Sequence, residues 1–363
     1  MRVKLEDVCE RGSSNLKQSD VVEMAGNYPI YGASGYIGNV DFYHQEKPYV
    51  AVVKDGAGIG RTTLHPAKSS VIGTMQYLLP KDNVLPQYLY YVVSYMHLEK
   101  YFTGATIPHI YFKDYKNEKF NLDSLDKQKE IIESLGRCEK VIESRKQELQ
   151  LLDEFIKARF VEMFGDSVSN EKGWKVDTVE SLCKEIYGGG TPSKAHPEYY
   201  EDGVIPWVSS KDMKTDLLTD SLIRINQLGV DNSTARMVPI NSVIMVIRSG
   251  ILKHTLPVAI NAVPITVNQD LKVFIPGEKI LARFLAVQFK MHEKDILSGV
   301  RAVTADNIEF NSLRKRKMIV PPIELQQKYV SLLEQVDKSK VKAQKALDET
   351  QKLFDSLMQQ YFG

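Results

Sequence analysis

The sequence predicts an α+β protein with an internal pseudo-two-fold repeat, in which two globular units of mixed helix and strand alternate with two long helices. Three observations predict this fold. Similar segments recur in the same order in both halves, two long stretches carry a heptad pattern without proline, and strand-like and turn-like sequence precedes each stretch. The 363 residues are enough for two domains of ordinary size.

The repeat is clearest at the ends of the two halves. The stretch "FIKARFVEMFG" (155–165) recurs as "LFDSLMQQYFG" (353–363), 198 residues later. Upstream, "VAVVKDG" (50–56) resembles "IMVIRSG" (244–250) at an offset of 194, and "LEDVC" (5–9) resembles "VESLC" (179–183) at an offset of 174. Because the offsets rise in order along the chain, a duplication with one insertion of about twenty residues in the second copy explains them.

The repeat predicts globular regions at 1–124 and 166–323, each followed by a long helix, at 125–165 and 324–363. Apolar residues recur in 3-4 alternation along both helices, which is the seam of a coiled coil. Because a globular unit lies between them in one chain, we expect the helices to pair antiparallel. The expected pairing residues are Leu135, Ile142, Leu149, Leu152 and Ile156 with Leu333, Val336, Leu347, Phe354 and Leu357. The alternative is a coiled coil between two copies of the chain.

Each globular region contains strand and helix patterns in the same order. The stretch "YPIYGASGYIGNVDFY" (28–43) predicts hairpins or loops, because glycines alternate with aromatic residues. The stretch "YVAVV" (49–53) predicts a buried strand, and residues 85–102 predict one amphipathic helix. The second region repeats this order with a strand at "SVIMVI" and a helix at 280–297.

The composition is that of a soluble globular protein, with 43% hydrophobic and 26% charged residues. We expect a cytoplasmic protein, because the sequence shows neither a secretory signal nor a membrane span. Three cysteines that are far apart, Cys9, Cys138 and Cys183, predict neither a disulfide framework nor a zinc site. The net charge of +1 means that a nucleic-acid ligand would have to be attracted by local basic patches or by partner subunits.

The sequence offers no pattern for catalysis or for a bound cofactor or metal. The loop "VVKDGAGIGRT" (52–62) has the spacing GxGxG and no following helix, which disfavours nucleotide binding. The segment "YGGGTP" (187–192) lacks a following Lys-Ser/Thr and is expected to be a flexible loop. The motifs HExxH and GxSxG are also missing, so we predict no catalytic residues and no metal site.

Basic side chains recur instead at matching loop positions of the two halves. Lys54 and Arg248 each follow the buried strand, Arg61 and His254 lie a few residues further on, and His109 and Arg301 follow Thr-Gly and Ser-Gly turns. Arginine and lysine donate to guanine O6 and N7, and to phosphates. The alternative for each residue is a solvent-exposed charge without a ligand. The basic run at 314–317 is open to the same two interpretations.

The repeated architecture and three local segments resemble one protein family. The second long helix is entered through "PPIELQQK", and the first globular region contains "GNYPIYGASGYIGNV" and "TGATIPHI". Over essentially its whole length the chain resembles the specificity (S) subunit of type I DNA restriction–modification systems. The first domain-to-helix junction, "LDSLDKQKEI", departs from the pattern because it lacks the Pro-Pro of the second.

The resemblance implies a division of labour between subunits. Each globular unit would be a target recognition domain that reads one half of a bipartite, asymmetric site in double-stranded DNA. The paired helices would set the unread spacer and dock two methyltransferase (M) subunits. Those M subunits would bind S-adenosylmethionine and methylate adenine N6, and a restriction (R) subunit can join. The chain itself would be a non-catalytic subunit without a cofactor of its own.

With DNA as the expected ligand, eleven residues are candidates for contact with it. They are Tyr31, Ser34, Lys54, Arg61, His109, Lys113, Lys194, Lys211, Arg248, His254 and Arg301. Two other functions stay open at this point. In the first, the chain is the specificity partner of a fused restriction–methylation enzyme. In the second, it is a coiled-coil scaffold without a role on DNA.

Overall fold

The computed structural model describes residues 1–103, 108–302 and 306–363, which form two compact units. Unit 1 comprises Met1–Leu149 and Lys342–Gly363, and unit 2 comprises Gln150–Val341. Part of the predicted Thr-Gly turn, residues 104–107, lies outside the described residues. The mixed helix-and-sheet fold that the sequence predicts is confirmed, and each unit contains a segment of both long helices.

Among the described residues, unit 1 contains three small sheets and a segment of each long helix. Its strands are β1 (Arg2–Lys4), β2 (Cys9–Ser13), β3 (Tyr28–Gly32), β4 (Gly35–Val40), β5 (Tyr49–Val53), β6 (Thr62–His65), β7 (Ser70–Val71), β8 (Met75–Pro80) and β9 (Lys119–Asn121). Its helices are α1 (Leu5–Val8), α2 (Gln18–Val21), α3 (Pro86–Tyr95), α4 (Phe112–Tyr115) and the first part of α5 (Leu125–Phe164), with a 3-10 turn at Leu98–Tyr101.

The order of the larger sheet is β2-β8-β5-β6, and all its strand pairs are antiparallel. The second sheet has the order β4-β3-β7, and β1 pairs with β9. Every residue of β5 is fully buried because neighbouring strands cover both of its edges and other residues cover both of its faces. The buried strand predicted at 49–53 is thus confirmed.

Unit 2 repeats this arrangement with additional elements. Its strands are β10 (Val176–Thr178), β11 (Cys183–Gly188), β12 (Ile205–Val208), β13 (Leu217–Leu218), β14 (Arg224–Ile225), β15 (Val243–Val246), β16 (Val258–Asn261), β17 (Thr266–Val267), β18 (Leu271–Pro276), β19 (Arg301–Ala302), β20 (Asp306–Asn307) and β21 (Lys317–Ile319). Its helices are α6 (Val179–Leu182), α7 (Gln227–Asp231), α8 (Ala282–Met291), α9 (Glu293–Ser298), α10 (Phe310–Lys315) and the first part of α11 (Ile323–Phe362), with 3-10 turns at Pro197–Tyr199 and Gly250–Lys253.

The main sheet of unit 2, β11-β18-β15-β16-β13, has the connectivity of the unit 1 sheet plus one edge strand. Smaller sheets are formed by β14-β12-β17, by β10-β21 and by β19-β20. The sequence offset between matching strands of the two units increases from β11 to β15. Unit 2 contains β13, β14 and α7 between these two strands. The insertion that the sequence offsets predict therefore lies in this part of the second copy.

The single amphipathic helices predicted at 85–102 and 280–297 are wrong in one respect, because each is broken at a histidine. In unit 1, α3 ends at Tyr95 and His97 adopts a left-handed conformation with φ of 50°. In unit 2, α8 ends at Met291 and α9 begins at Glu293. The break redirects the chain so that Leu98 and Ile296 enter the cores of their units.

The "YGGGTP" segment is not the flexible loop that the sequence predicts. A Cβ on Gly189 would lie 2.0 Å from the carbonyl oxygen of Val267, and one on Gly190 would lie 2.2 Å from the carbonyl carbon of Thr234. Hydrogen bonds fix this approach, since Gly190 N donates to Val267 O at 2.9 Å. The glycines are needed here because only a residue without a side chain fits between the backbones.

One glutamine at the start of each long helix joins the helix to its globular region. Gln128 accepts a hydrogen bond from Leu85 N at 2.8 Å and donates to the carbonyls of Asn83 and Asp123, both at 3.0 Å. Gln326 makes the equivalent set with Leu281 N (3.0 Å), Lys279 O (3.0 Å) and Pro321 O (2.9 Å). Both side chains are fully buried. The two junctions therefore use the same contacts, although only the second contains Pro-Pro.

The long helices bury their aromatic residues most deeply where they meet the globular cores. In unit 2, Phe160 and Phe164 of α5 are fully buried against Phe284 and Tyr329. The predicted pairing residues Leu149, Leu152, Ile156, Leu347, Phe354 and Leu357 are half-buried, whereas Leu135, Ile142, Leu333 and Val336 are buried. Phe160 and Phe164 are the residues of α5 that contribute most to the unit 2 core, and the heptad pattern did not predict them.

Ion pairs of opposite polarity lie at positions that the sequence offsets match in the two units. Lys100 is paired with Glu118 in unit 1, and Asp295 is paired with Arg316 in unit 2. By the offsets of the repeat, Lys100 corresponds to Asp295 and Glu118 to Arg316. The two pairs thus lie at matched positions of the sequence repeat, with the signs of the charges exchanged.

Candidate nucleic-acid interface

In unit 1, three loops converge beyond the ends of the central strands. The first is the turn of the β3–β4 hairpin, where Gly35 has a φ of +113° and Ser34 is exposed. The second is the loop after β5, whose Arg61 donates a hydrogen bond from Nη2 to Ala33 O of that turn. The structure therefore places Arg61 against Ala33, the residue before the predicted Ser34.

The third loop contains His109, which contacts Asp55, the residue that follows Lys54. His109 Nδ1 lies 2.5 Å from Asp55 Oδ1, and Ile110 N donates to Lys54 O at 2.9 Å. Tyr111 continues the cluster, because its ring is parallel to that of His109 and Lys113 Nζ lies 5.4 Å from its centroid. We name the residues Ser34, Lys54, Arg61, His109 and Lys113 the unit 1 loop cluster.

Tyr31 differs from the other candidates in unit 1, because its ring is half-buried in an aromatic stack. Its centroid lies 4.4 Å from that of His65, which is 5.3 Å from Tyr49, which in turn is 5.0 Å from Tyr77. Burial raises the pKa of Tyr31. The exposed aromatic side chain of this hairpin is Tyr36, with 62% of its surface accessible, and the sequence analysis did not select it.

The same stack predicts a pH dependence of stability. Burial lowers the pKa of His65 to about 4, from about 6.5 in an unfolded chain. Well above pH 6.5 the imidazole is neutral in both the folded and the unfolded state. As the pH falls from 6.5 towards 4, the unfolded state binds the proton first, so the free energy of unfolding should decrease by up to about 3 kcal/mol. Chemical denaturation at pH 7.5, 6, 5 and 4 measures this decrease.

His65→Phe should remove that part of the pH dependence, because phenylalanine keeps an aromatic ring in the stack and does not titrate. His97→Gln is the matched control, since His97 is exposed. Burial also lowers the pKa of His292, so protonation of the unfolded chain at this residue likewise reduces the free energy of unfolding as the pH falls. The free energies of unfolding of the variants and the wild type are therefore compared at each pH. Equal pH profiles for His65→Phe and the wild type would contradict the assignment.

In unit 2, Arg248 lies at the end of β15 and is held by Asp270. Its Nε donates to Asp270 Oδ1 at 2.6 Å, and its Nη2 lies 2.6 Å from the same oxygen. The neighbouring backbone joins this loop to β20, because Ser249 N donates to Asp306 O at 3.1 Å and Arg248 bridges to Asn307. The predicted residue Arg248 is therefore at a junction of three segments, with about half of its side chain exposed.

The other candidates of unit 2 are less closely connected. His254 is exposed at the end of the 3-10 turn Gly250–Lys253. Lys194 and Lys211 are also exposed, and among the described contacts neither side chain is hydrogen-bonded to Arg248. The side chain of Arg301 lies outside the part of the chain that the structure describes. In the basic run, Arg314 pairs with Glu180 and Arg316 with Asp295, so both guanidinium groups already have acidic partners.

The carboxylates of these loops were not among the residues predicted from the sequence. Asp55 and Asp270 are the direct partners of two predicted residues, but a search for recurring basic groups does not select acidic ones. Lys272 was not predicted either; its Nζ lies 4.5 Å from the centroid of Phe310, and burial lowers its pKa. The available signal was the "NQD" segment (268–270), an Asx-turn sequence directly before a buried strand.

Within residues 1–103, 108–302 and 306–363, no cluster of histidine, cysteine or carboxylate side chains has the arrangement of a metal site. Within the same ranges, no helix has the length and hydropathy required to cross a membrane.

The family model and the related sequences that match this chain all belong to one protein family. A family model described as the type I restriction modification DNA specificity domain matches residues 1–154 and 171–350. The specificity subunit of a type I restriction enzyme of Escherichia coli is 38% identical over 169 residues, which are 46% of this chain and 41% of that protein. One from Methanocaldococcus jannaschii is 24% identical over 305 residues, 77% of this chain and 69% of that protein. The match thus spans less than half of the first relative.

Solved structures share the fold at low sequence identity. The S subunit of a type I restriction-modification system from M. genitalium has a TM-score of 0.66 at 14% identity, covering 100% of this chain and 96% of that one. A chain from a study of complex assembly and conformational transition of the type I system has a TM-score of 0.56 at 14% identity, covering 99% and 97%. These likenesses concern the fold, and the family model matches most of the sequence. The chain belongs to the family of type I restriction-modification DNA specificity domains.

Proposed function

We propose that this chain is the DNA-reading specificity subunit of a type I restriction–modification complex. Its globular regions 1–124 and 166–323 act as target recognition domains, and each reads one half of a bipartite site. The observation that supports this most directly is the placement of polar and basic loops after β5 and β15, the matching strands of the two copies. Because the loops differ in sequence, the two half-sites differ as well.

The side chains of the unit 1 loop cluster and Arg248 suit the edges of bases and phosphates. Arg61 and Arg248 each keep N–H groups beyond those bound within the protein, and a guanidinium carries five in total. Ser34 and His109 add short hydrogen-bonding groups beside them. With a net charge of +1, the chain depends on these local groups and on its partners for attraction to DNA.

The long helices act as an antiparallel pair that fixes the spacer between the half-sites. In unit 1, Tyr88 bonds to Asp123 and packs on Phe362, whereas Tyr91 bonds to Glu139 and packs on Phe354. The order of these contacts, from Asp123 and Phe362 to Glu139 and Phe354, supports an antiparallel arrangement. The contacts in unit 2 run in the same sense, since Asp153 pairs with Lys340 and the Ile156 carbonyl accepts from Tyr329 Oη at 3.1 Å. Each 40-residue helix is about 60 Å long.

The chemistry belongs to partner subunits in this proposal. Two methyltransferase (M) subunits dock on the chain, bind S-adenosylmethionine and methylate adenine, and restriction (R) subunits join that complex. The specificity subunit supplies recognition and spacing and is itself non-catalytic. The M subunits then also carry out any rotation of the target base out of the duplex.

Methylome mapping tests the proposal. The chain is expressed with its M subunit in a host that lacks adenine methylation, and modified adenines are read directly. We expect a bipartite motif that disappears without the chain. Arg61→Ala should change only the half read by unit 1, because Arg61 belongs to its loop cluster. Methylation of the same motif in the absence of the chain would contradict the proposal, and a stable complex without any motif would indicate a scaffold.

A further inference from the structure

We infer that Asp270 positions Arg248 for end-on reading of a guanine, so that the half-site read by unit 2 contains a guanine whose recognition depends on both residues. The inference rests on the proposed function. It goes beyond it by naming a base, a geometry and a positioning residue that does not itself touch DNA.

The hydrogen bonds of Arg248 leave one edge of its guanidinium available. Asp270 Oδ1 receives the Nε donor at 2.6 Å and lies 2.6 Å from Nη2, so it occupies the side edge. Among the described residues no acceptor is bound to Nη1. The end-on edge, formed by Nη1 and the second N–H of Nη2, therefore keeps two parallel donors. This pair of donors matches O6 and N7 of guanine in the major groove.

Asp270 is itself fixed by two further sets of contacts. Its Oδ2 accepts from Asn268 Nδ2 at 3.1 Å, and its backbone N–H donates to Asn268 Oδ1 at 3.1 Å. Its carbonyl oxygen accepts from Ile247 N at 2.9 Å and from Arg248 N at 3.3 Å. Asn268 is buried and its own N–H donates to Val208 O of β12 at 2.9 Å. A single aspartate thus fixes both the backbone and the side chain of Arg248 relative to the sheet.

The equivalent position in unit 1 lacks this arrangement. Lys54 follows β5 as Arg248 follows β15, but its ammonium is a point charge that cannot form a planar bidentate pair. In the described part of unit 1, no acidic side chain lies within ion-pairing distance of Lys54. We therefore expect the strong guanine requirement in the unit 2 half-site, and not at the corresponding contact of unit 1.

Unit 2 also contains a matched control. Arg236 is exposed to a similar extent as Arg248, 53% against 49% of the side chain, and it too is bound to a carboxylate. However, Glu185 takes both Nη atoms, at 2.5 and 2.8 Å, and the guanidinium lies 4.2 Å from the centroid of Tyr187. The end-on edge of Arg236 is thus already occupied. Glu185→Ala removes an arginine–carboxylate ion pair, as Asp270→Ala does, but it leaves the pair between Arg248 and Asp270 intact.

The test compares the methylation motifs of the wild type, Asp270→Ala, Arg248→Lys and Glu185→Ala, each in complex with the M subunit. We expect Asp270→Ala to reduce the preference for guanine at one position of one half-site, on the order of 10- to 100-fold. Arg248→Lys should do the same, because lysine keeps the charge and its pairing with Asp270 but loses the bidentate edge. The other half-site and the spacer should stay unchanged in both. Glu185→Ala should keep the wild-type motif.

The outcomes separate the inference from the proposed function. A wild-type complex without any bipartite motif would overturn the proposed function. A bipartite motif whose guanine preference survives in either Asp270→Ala or Arg248→Lys would overturn the inference alone. So would an equal relaxation in Glu185→Ala, which would show that loss of any ion pair has this effect. If Asp270→Ala does not fold, Asp270→Asn takes its place with the same expected result, because asparagine keeps the size of the side chain and removes the charge that pairs with Arg248.

Discussion

Phe164→Ala should lower the free energy of unfolding of unit 2 by about 3–5 kcal/mol, the usual cost of removing a buried aromatic ring. Phe164 is fully buried, and its ring lies 4.9 Å from that of Phe284 and 5.6 Å from that of Tyr329, measured between centroids. Alanine removes these contacts and leaves a cavity between α5, α8 and α11. Denaturant unfolding measures the loss, and amide exchange in β15 and α8 reports unit 2 by itself.

Phe155→Ala on the same helix is the control. Phe155 also belongs to unit 2, but 43% of its surface is exposed, so truncation should cost clearly less. Equal losses for the two variants would mean that the end of α5 is not packed into the unit 2 core. The motif of Phe164→Ala at a permissive temperature should remain bipartite, because the residue lies in the core and not in a loop.

Gln326→Leu should destabilise unit 2 by about 3 kcal/mol. Leucine has a similar volume but cannot hydrogen-bond, so the N–H of Leu281 and the carbonyls of Lys279 and Pro321 lose their partner. An unpaired buried polar group costs about 1–3 kcal/mol, and relaxation recovers part of the sum. Gln128→Leu should have a comparable effect on unit 1, because its hydrogen bonds are equivalent.

The neighbouring glutamine provides the control for this prediction. Gln327 is exposed, and Gln327→Leu should change the free energy of unfolding by less than about 0.5 kcal/mol. Thermal and denaturant unfolding of the three variants are compared under the same conditions. If Gln326→Leu were as stable as Gln327→Leu, the buried amide would not be what joins α11 to the globular region.

The elements with a strong local pattern could be predicted from the sequence. The strand β5 is a run of apolar residues, and both long helices lack proline and repeat their apolar positions, so their predicted limits agree with the structure to within about two residues. The breaks at His97 and His292 could not be predicted, because neither histidine is a helix breaker by itself. They follow from the tertiary burial of Leu98 and Ile296 beyond the break.

Of the candidate site, only the basic residues could be predicted from the sequence. Lys54 and Arg248 follow recognisable strands, and their recurrence in both halves selected them. Asp270 lies 22 residues from Arg248 in sequence, and only the pairing of β15 with β18 brings the two together. The same holds for Asp55 and His109, 54 residues apart. Contacts between loops depend on strand register, and a single sequence does not specify which loop ends will meet.

The reversed ion pairs bear on how a duplicated chain folds correctly. Two copies of one fold in the same polypeptide risk exchanging equivalent segments, either during folding or between molecules. If the segment around Lys100 docked in the wrong copy, its ammonium would face Arg316, and the segment around Asp295 would face Glu118. Both mismatches place like charges together, whereas each correct arrangement pairs opposite ones. We therefore expect the exchanged signs to disfavour docking of these two segments in the wrong repeat.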